Sequence, residues 1–369
     1  MEQYCQNKIA IVGGGPSGVY CAINILRRFR ELNFNNFSLC IFDKSQILRT
    51  ILPTGGFRCN ITNSISDVKT FAKNYPRGEK FLYSIFSRHF NLDSIDFFNS
   101  IGIKTYTDTN GRMYPVSNSS KEVKDKMLNE LRKFKNVELK HKKINSKDEL
   151  KDFDYIVICA GSRGTENLIT SFNHTLIPFK KALLGLKIKN MKYPTGVSVK
   201  SIDGDFLFTK NGISGPLAFV VSSKNVDKAF PYEIKIKLFN VDDLKEKIKL
   251  NPKKTIGNLV SNFVPKSLAH SIIDNFDKKA AEVSNKEIES YSTLKLEITD
   301  IESNGEIVNS GGVKLDELTK NCKSKIHKNL WYCGEILDID GFCGGFNLQN
   351  CWSTAYVVAN DIVQDIIEK

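Results

Sequence analysis

The sequence predicts an α/β fold: a Rossmann-like, doubly wound and mostly parallel sheet, interrupted by an inserted domain of β-strands and helices. Three observations carry this reading. A glycine-rich turn joins a short apolar strand to a helix near the N-terminus. Two more strands of buried character, "DYIVICAG" and "LWYCGE" (330–335), lie far downstream and end in small residues or an acid. Between about residues 184 and 306 the pattern changes to short alternating segments and a lysine-rich helical stretch. The expected domains are 1–183 and 307–369, two parts of one nucleotide-binding unit, with 184–306 inserted between them.

The first strand is "KIAIV" (8–12), apolar, β-branched and stopped by glycines. From Pro16 onward Val19, Ala22, Ile23 and Leu26 recur at helical spacing. "FSLCIFD" (37–43) is the next strand and ends in an acid, which completes a β-α-β unit with parallel strands and a right-handed crossover. Residues 78–101 read as helix with Gly102 as a stop. An Asn-Gly turn signal sits in "TDTNGRMYPVS" (107–117), followed by an amphipathic helix through Val123, Met127, Leu131 and Phe134. "NVELK" and "DYIVICAG" return to strand. In the insertion, "TGVSVKSI" (195–202), "YEIKIKLF" (232–239) and "LKLEIT" (294–299) read as half-exposed antiparallel strands, with mostly helix over 241–291. "CWSTAYVVANDIVQDII" closes the chain as a helix.

The chain has 369 residues, with 53 basic and 41 acidic residues for a net charge of +12. A basic protein can bind nucleic acid. Its lysines are scattered, however, which fits solvated faces better than a nucleic-acid footprint. Nine cysteines show no C-x-x-C pair, and five histidines stand apart from them, so neither a disulfide framework nor a metal site is expected. No apolar run approaches the roughly 20 residues that span a bilayer. The start of the chain does not read as a signal peptide. A cytoplasmic address without a membrane partner is therefore expected.

"VGGGPSG" supplies G-x-G-x-x-G as Gly13, Gly15 and Gly18. The first glycine permits the tight turn, the second lets backbone approach a pyrophosphate, and the third packs helix against strand. The helix N-terminus adds unpaired N–H groups and partial positive charge. Asp43, at the end of the next strand, is placed to hold a ribose hydroxyl. A second such fingerprint for a nicotinamide domain is missing, since "AGSRGTENL" (160–168) and "NSGGVKLDE" (309–317) both lack the spacing. The second glycine-rich stretch, "CGEILDIDGFCGGFNLQN" (333–350), carries Glu335, Asp338 and Asp340. A buried strand ending in Gly334-Glu335 can offer a carboxylate to ribityl hydroxyls, and the later glycines let backbone approach a planar ring. Two motifs on one ligand point to FAD. The bland alternative is a capped glycine loop on the surface.

A third stretch, "PTGGFRCNITN" (53–63), sets glycines beside Arg58, Cys59, Asn60 and Asn63. Arg58 can stabilise negative charge on a reduced flavin, and Asn60 can bond the ring or the ribityl chain. Cys59 has no C-x-x-C partner and reads as a buried, space-filling thiol rather than a redox group. "FTKNGISGP" (208–216) reads as a hairpin turn or a substrate contact.

Together these stretches resemble the HI0933-like (YhiN/BaiN-type) flavoproteins, some described as aminoacetone oxidase family FAD-binding enzymes. The likeness runs over nearly the whole chain, through "IAIVGGGPSG", "TGGFRCNITN", "GRMYPVS", "DYIVICAG", "LFTKNGISGP", "NSGGV" and "SKIHKNLWYCGEILDIDGFCGGFNLQ". It implies a two-part FAD domain with an inserted domain covering the flavin. It also implies that Gly13, Gly15, Pro16, Ser17 and Gly18 cradle the pyrophosphate and Asp43 the adenosine ribose. Lys44, Arg58, Cys59, Asn60, Ala160 and Gly161 would lie by the cofactor, and Gly334, Glu335 and Asp338 by the ribityl side. Gly345, Phe346, Asn347, Leu348 and Gln349 would border the isoalloxazine. The chain departs from the family pattern at Phe57, usually glycine, at Asp43, usually Glu, at Lys210, usually His, and in the shortened "CAGSRG". The expected function is an FAD-dependent oxidoreductase acting on a small molecule, with NAD(P)H as a candidate donor and oxygen or an unsaturated compound as acceptor. The alternatives are a flavin-containing RNA-binding or tRNA-modifying protein, and a flavoprotein without turnover. No residue reads as the catalytic acid or base.

Overall fold

A computed structural model describes residues 7–302 and 308–369. The chain divides into two compact units, one formed by residues up to Lys180 together with Val308–Lys369, the other by Lys181–Ile307.

The first unit is built on a five-stranded parallel sheet. Its strands are β1 (Asn7–Val12), β2 (Phe37–Asp43), β3 (Val137–His141), β4 (Tyr155–Ile158) and β5 (Leu330–Tyr332), in the order β5-β4-β1-β2-β3. β1 lies between β2 and β4, with Ile9 opposite both Leu39 and Tyr155. Ile9, Ala10, Ile11 and Val12 are buried, as a strand covered on both faces requires. The crossover from β1 to β2 is helix α1 (Pro16–Glu31). Proline at its first position fits the fixed φ of a helix start, and Leu32 and then Asn33, at φ +54°, end it. Helix α2 (Phe346–Ile367) packs along α1, with the rings of Tyr20 and Trp352 5.2 Å apart. No helix among the described residues is long and apolar enough to cross a membrane.

The Asn-Gly signal is a real hairpin: Thr105–Thr107 pairs with Arg112–Pro115, and Asp108 accepts the Asn110 and Arg112 amides inside the turn. The single helix expected over 78–101 is instead two, Glu79–Phe86 and Asn91–Ser100. The break has a cause. The Asp93 carboxylate caps the Phe90 amide at 2.6 Å, and His89 turns inward to meet the Tyr20 hydroxyl at 2.9 Å.

The second unit carries a six-stranded sheet in the order Ser198–Val199, Phe206–Phe208, Gly212–Ser214, Leu186–Ile188, Thr293–Ile301, Tyr232–Lys237. Every pairing in it is antiparallel. In the strand 232–237 Glu233, Lys235 and Lys237 face out. The strand expected over 195–202 shrinks to two residues, because Gly196 turns at φ +80° and gives its amide to the Phe208 carbonyl. The helical stretch is four short helices, interrupted around Pro252 and Pro265 and after Ile272. The segment 208–216 is a hairpin, with Phe208 opposite Ile213 and Lys210 in its turn. "NSGGV" lies in strand Val308–Val313, which pairs with Leu176–Ala182; neither strand was foreseen.

Candidate functional site

The glycine turn sits at the carboxyl end of β1, beside β4, where the chain leaves β1 toward β2 on one side and β4 toward β5 on the other. Open parallel sheets bind ligands at such a point. Gly13 has φ +114°, and a Cβ there would run into the backbone of Cys159 and Ala160. A Cβ on Gly18 would overlap the Gly13 carbonyl, so this glycine is what lets α1 seat on the strand. Gly15 is different: its Cβ would meet only the Thr50 hydroxyl, at 3.5 Å. No side chain caps α1, and its first turn carries no acid. Its leading N–H groups and the positive end of its dipole are therefore available to an anion.

Asp43 is partly committed already. Its Oδ2 accepts the Gly14 amide at 2.7 Å, and its Oδ1 accepts the Ser45 amide at 2.6 Å and hydroxyl at 2.9 Å. Oδ1 is thereby filled, and Oδ2 keeps one lone pair for a ribose hydroxyl. A small cavity of about 50 Å³ borders it, lined by Gly13, Lys44, Lys143, Ala160 and Gly164 among others. Lys44 reaches the Arg163 carbonyl at 2.8 Å. Gly161 turns at φ +68° with open space where a side chain would be.

The acidic loop begins where β5 stops at Tyr332. Gly334 turns at φ +78° so close to α1 that a Cβ on it would strike the Ser17 hydroxyl. The two glycine motifs, separated by more than three hundred residues of sequence, thus touch. Gly334 also donates its amide to the Thr354 hydroxyl at 3.0 Å. Glu335 follows, half-buried. Burial pushes its carboxyl up to about 7, with Arg163 pulling the other way and the Asp340 charge adding to the rise. Asp340 is fully buried and forms a two-pronged ion pair with Arg77 through Nε–Oδ1 and Nη2–Oδ2. Asp338 gives its amide to the Val313 carbonyl at 3.2 Å.

The loop over 53–63 is left-handed through most of its bend: Gly55, Gly56, Phe57 and Cys59 have φ values of 60°, 66°, 66° and 62°. It is tied to the start of α2. Asn60, with its carboxamide oriented to satisfy both, donates to the Thr62 carbonyl at 3.0 Å and accepts the Gly345 amide at 2.9 Å. Asn63 donates to the Gly344 carbonyl at 3.0 Å, and the Thr62 hydroxyl to Gln349 at 2.6 Å. Arg58 lies over the Tyr114 ring at 4.2 Å and bonds its hydroxyl at 3.2 Å. Cys59 is wholly buried, and burial pushes its thiol up to about 12. It stays protonated, the inert state expected of a space-filling thiol.

Of the residues expected at the ring end, Gly345 caps α2 in a left-handed turn that only glycine fits, because a Cβ would overlap the Thr62 carbonyl. Phe346 is buried among aromatic rings, 4.9 Å from Phe71 and 6.0 Å from Tyr75. Leu348 packs against the core. Asn347 and Gln349 spend their amides inside the protein. Asn347 clamps Gly341 by both its N–H and its carbonyl, and Gln349 donates to Ser94 and Ser353 at 2.9 and 2.8 Å. These side chains shape the loop rather than present donors from it.

Sequence reasoning missed several residues. Arg77 gave no signal, lying far from any motif. Arg163 sits in a segment read only as a failed fingerprint. Asn350 is 1% exposed, and neither atom of its carboxamide has a hydrogen-bond partner. The Asn350 main-chain carbonyl accepts the Thr354 hydroxyl that in turn accepts the Gly334 amide, so Asn350 lies on the stretch of α2 beside the acidic loop. A buried amide without partners is costly and calls for a ligand or water. The signal was present: Gln349, Asn350, Ser353 and Thr354 recur at helical spacing on one face of α2, and all four are buried.

A parallel nucleotide fold with these two converging loops defines a Rossmann-type protein. The chain belongs to the HI0933-like family: the HI0933-like protein Rossmann domain matches residues 7–361. It is 26% identical to the 3-dehydro-bile acid delta(4,6)-reductase of Clostridium scindens, over 95% of this chain and 98% of that one. It is 24% identical to the ribosomal RNA dihydrouridine synthase of Escherichia coli, over 96% and 97%. Among solved structures, a flavocytochrome c3 fumarate reductase aligns over 97% of this chain and 78% of its own, with a TM-score of 0.42 and 11% identity. The Mycobacterium smegmatis Sdh1 complex aligns over 97% and 69%, with a TM-score of 0.45 and 11% identity. The chain is an enzyme of the oxidoreductase class.

Proposed function

We propose that this protein is an FAD-dependent reductase that adds hydrogen across a carbon–carbon double bond conjugated to a carbonyl, with a nicotinamide as electron donor. The observation that carries the reading is the meeting of Gly334 with Ser17, which brings a phosphate-type helix start and a carboxylate loop to one place. The residues present fit FAD on three counts. Gly15 leaves room where a pyrophosphate would approach, α1 has uncapped N–H groups, and Asn350 is a buried amide in need of partners. In this reading the Ser17 and Gly18 amides hold the pyrophosphate and Asp43 the adenosine ribose, with Lys44, Ala160 and Gly161 beside it. Glu335 and Asp338 meet the ribityl hydroxyls. A carboxyl near pKa 7 both donates and accepts at neutral pH, which suits a row of hydroxyls. Asn60 and Gly345 border the ring. FAD, when bound, supplies a two-electron carrier. The chain's own part is to orient the acceptor and to set Arg58, already fixed on Tyr114, where negative charge develops on the carbonyl.

The acceptor class is supported by the two relatives together. One is named for reduction of a 3-oxo compound at its 4,6 double bonds, the other for forming dihydrouridine from uridine. Both names describe saturation of a C=C next to a carbonyl. The test is direct. Purified protein incubated with FAD should turn yellow, bleach anaerobically with NADH or NADPH, and recover its colour on adding a 3-oxo-4,6-diene steroid. A protein that stays colourless sinks the proposal, and one that binds FAD but never bleaches is a flavoprotein without turnover.

A second reading, reduction of a uridine in RNA, is favoured by the E. coli relative and a Haemophilus influenzae relative of the same name, and by the net charge of +12. It requires RNA affinity that falls steeply with salt, because phosphate contacts release counterions. Binding that is absent at low salt eliminates it.

A further inference from the structure

Nine residues other than glycine among those described have backbones in the left-handed region. Four are asparagines (Asn33, Asn118, Asn173 and Asn190), which adopt it readily. Leu48, Cys59, Leu183 and Cys322 are all buried, so the strain of each is offset by a side chain packed into a core. The ninth is Phe57, at φ +66° with 70% of its surface exposed. It bears the strain and recovers nothing from burial.

Exposure alone would mean little, since single apolar residues on a surface are common. Leu92 and Leu250 are exposed to 66% and 73%, but both stand in ordinary helices. Phe57 combines the two, and its loop is not slack. The Cys59 amide bonds the Thr54 carbonyl at 2.9 Å, and Asn60 locks the next residues to the start of α2. The ring is therefore held outward by an anchored, strained backbone, one residue before the Arg58 guanidinium that rests on Tyr114. Strain that the surrounding structure enforces without local gain marks a functional position.

We infer that Phe57 is a specificity-determining residue whose ring forms one wall of the binding place for a flat, conjugated acceptor and stacks on it. The inference rests on the proposed function for the identity of that acceptor. An aromatic face matches a planar enone or a pyrimidine base alike, so the tests include one probe of each kind.

The experiment compares full-length, FAD-loaded wild-type protein with Phe57→Gly and Phe57→Trp. Each oxidised holoenzyme is titrated with a 3-oxo-4-ene steroid and with uridine 5′-monophosphate, and perturbation of the flavin's visible band is followed. Flavin content and thermal midpoint are measured in parallel. Phe57→Gly relieves the backbone, so its flavin content should be unchanged and its midpoint equal or higher. Its affinity for the probe that wild type binds should fall roughly tenfold, while Phe57→Trp stays within about threefold of wild type. Where a probe is turned over, the loss should appear in KM more than in kcat. Equal affinity in wild type and Phe57→Gly overturns the inference and leaves the proposed function standing. So does a flavin-loaded wild type that binds neither probe saturably. A wild type that never takes up FAD overturns both.

Discussion

In the turn at residues 13–18 the decisive contacts are backbone on backbone: Gly13 against Cys159 and Ala160, and Gly18 against the Gly13 carbonyl. In the loop at 333–345 the contacts are largely made by side chains. Gly334 abuts the Ser17 hydroxyl, Gly341 and Gly344 abut Phe346, and the chain between them is tied by the buried Arg77–Asp340 pair and by Asn347. The first loop has no ionisable group to lose except Asp43 behind it. The second holds three carboxylates. One glycine-rich loop is fixed by shape, the other by charge, and they should fail in different ways.

The largest effect is expected from breaking the charge. Arg77→Ala leaves Asp340 fully buried without its guanidinium, and should cost about 3–5 kcal/mol in denaturant unfolding. Adding Asp340→Asn to the same chain should recover part of that loss. If Arg77→Ala costs less than about 1 kcal/mol, the loop is not held by charge and the contrast fails. Gly18→Ala attacks the shape. Its methyl has no space beside the Gly13 carbonyl, so helix and strand must separate, at about 2–3 kcal/mol and with loss of flavin binding. Unlike the Arg77 variant, it should show the same deficit at every pH between 5 and 9.

The same contrast explains what the sequence made legible. The backbone-held turn follows local rules: a β-branched strand, three glycines at fixed spacing and proline at a helix start. Its place between a strand and a helix of a β-α-β unit was readable from the sequence, while its position in the order of the sheet was not. The acidic loop was legible as a motif, yet its partners were not. Arg77 pairs with a residue 263 positions away, and nothing local marks an arginine for that role. Side-chain partners at the start of α2 were also not legible, because a sequence shows that Asn347 and Gln349 are polar but not that their amides bond Gly341, Ser94 and Ser353. In the helix read across 78–101, the periodicity ran straight through a break created by one capping acid and one inward histidine. A local cap and one tertiary partner together overrode the periodicity there.

A medium effect is expected from Glu335. Its carboxyl titrates at about 7 in the folded protein, raised from an ordinary 4.5. A raised value means that the folded state holds the proton more tightly than the unfolded one. The favourable term is fully present below pH 4.5, declines as the pH rises from 4.5 to 7, and is gone above that. Its ceiling is about 3 kcal/mol at 1.36 kcal/mol per pH unit, and residual solvent around a half-buried group lowers it. Glu335→Gln should therefore be more stable than wild type at pH 8 in the flavin-free protein, with the difference shrinking toward pH 5. A difference that stays constant across that window would put Glu335 in an ordinary aqueous setting. The turn at 13–18 would then no longer be the less pH-sensitive of the two.

The smallest change in stability, and the sharpest in function, is expected from Gly15→Ala. Gly15 sits at φ −77° and ψ −169°, a conformation open to alanine, and the new methyl would meet nothing nearer than the Thr50 hydroxyl at 3.5 Å. Unfolding stability should therefore stay within about 0.5 kcal/mol of wild type, at the level of a surface substitution. Yet that open space is where a pyrophosphate would approach the backbone, so FAD affinity should fall by tenfold or more in a flavin titration. Gly18→Ala and Gly15→Ala then separate two uses of one residue type in a single turn. The first has no room because the protein fills it, and the second has room because a ligand needs it. If Gly15→Ala keeps full FAD affinity, the space beside Gly15 is merely solvent, and the pyrophosphate must be sought elsewhere on the sheet.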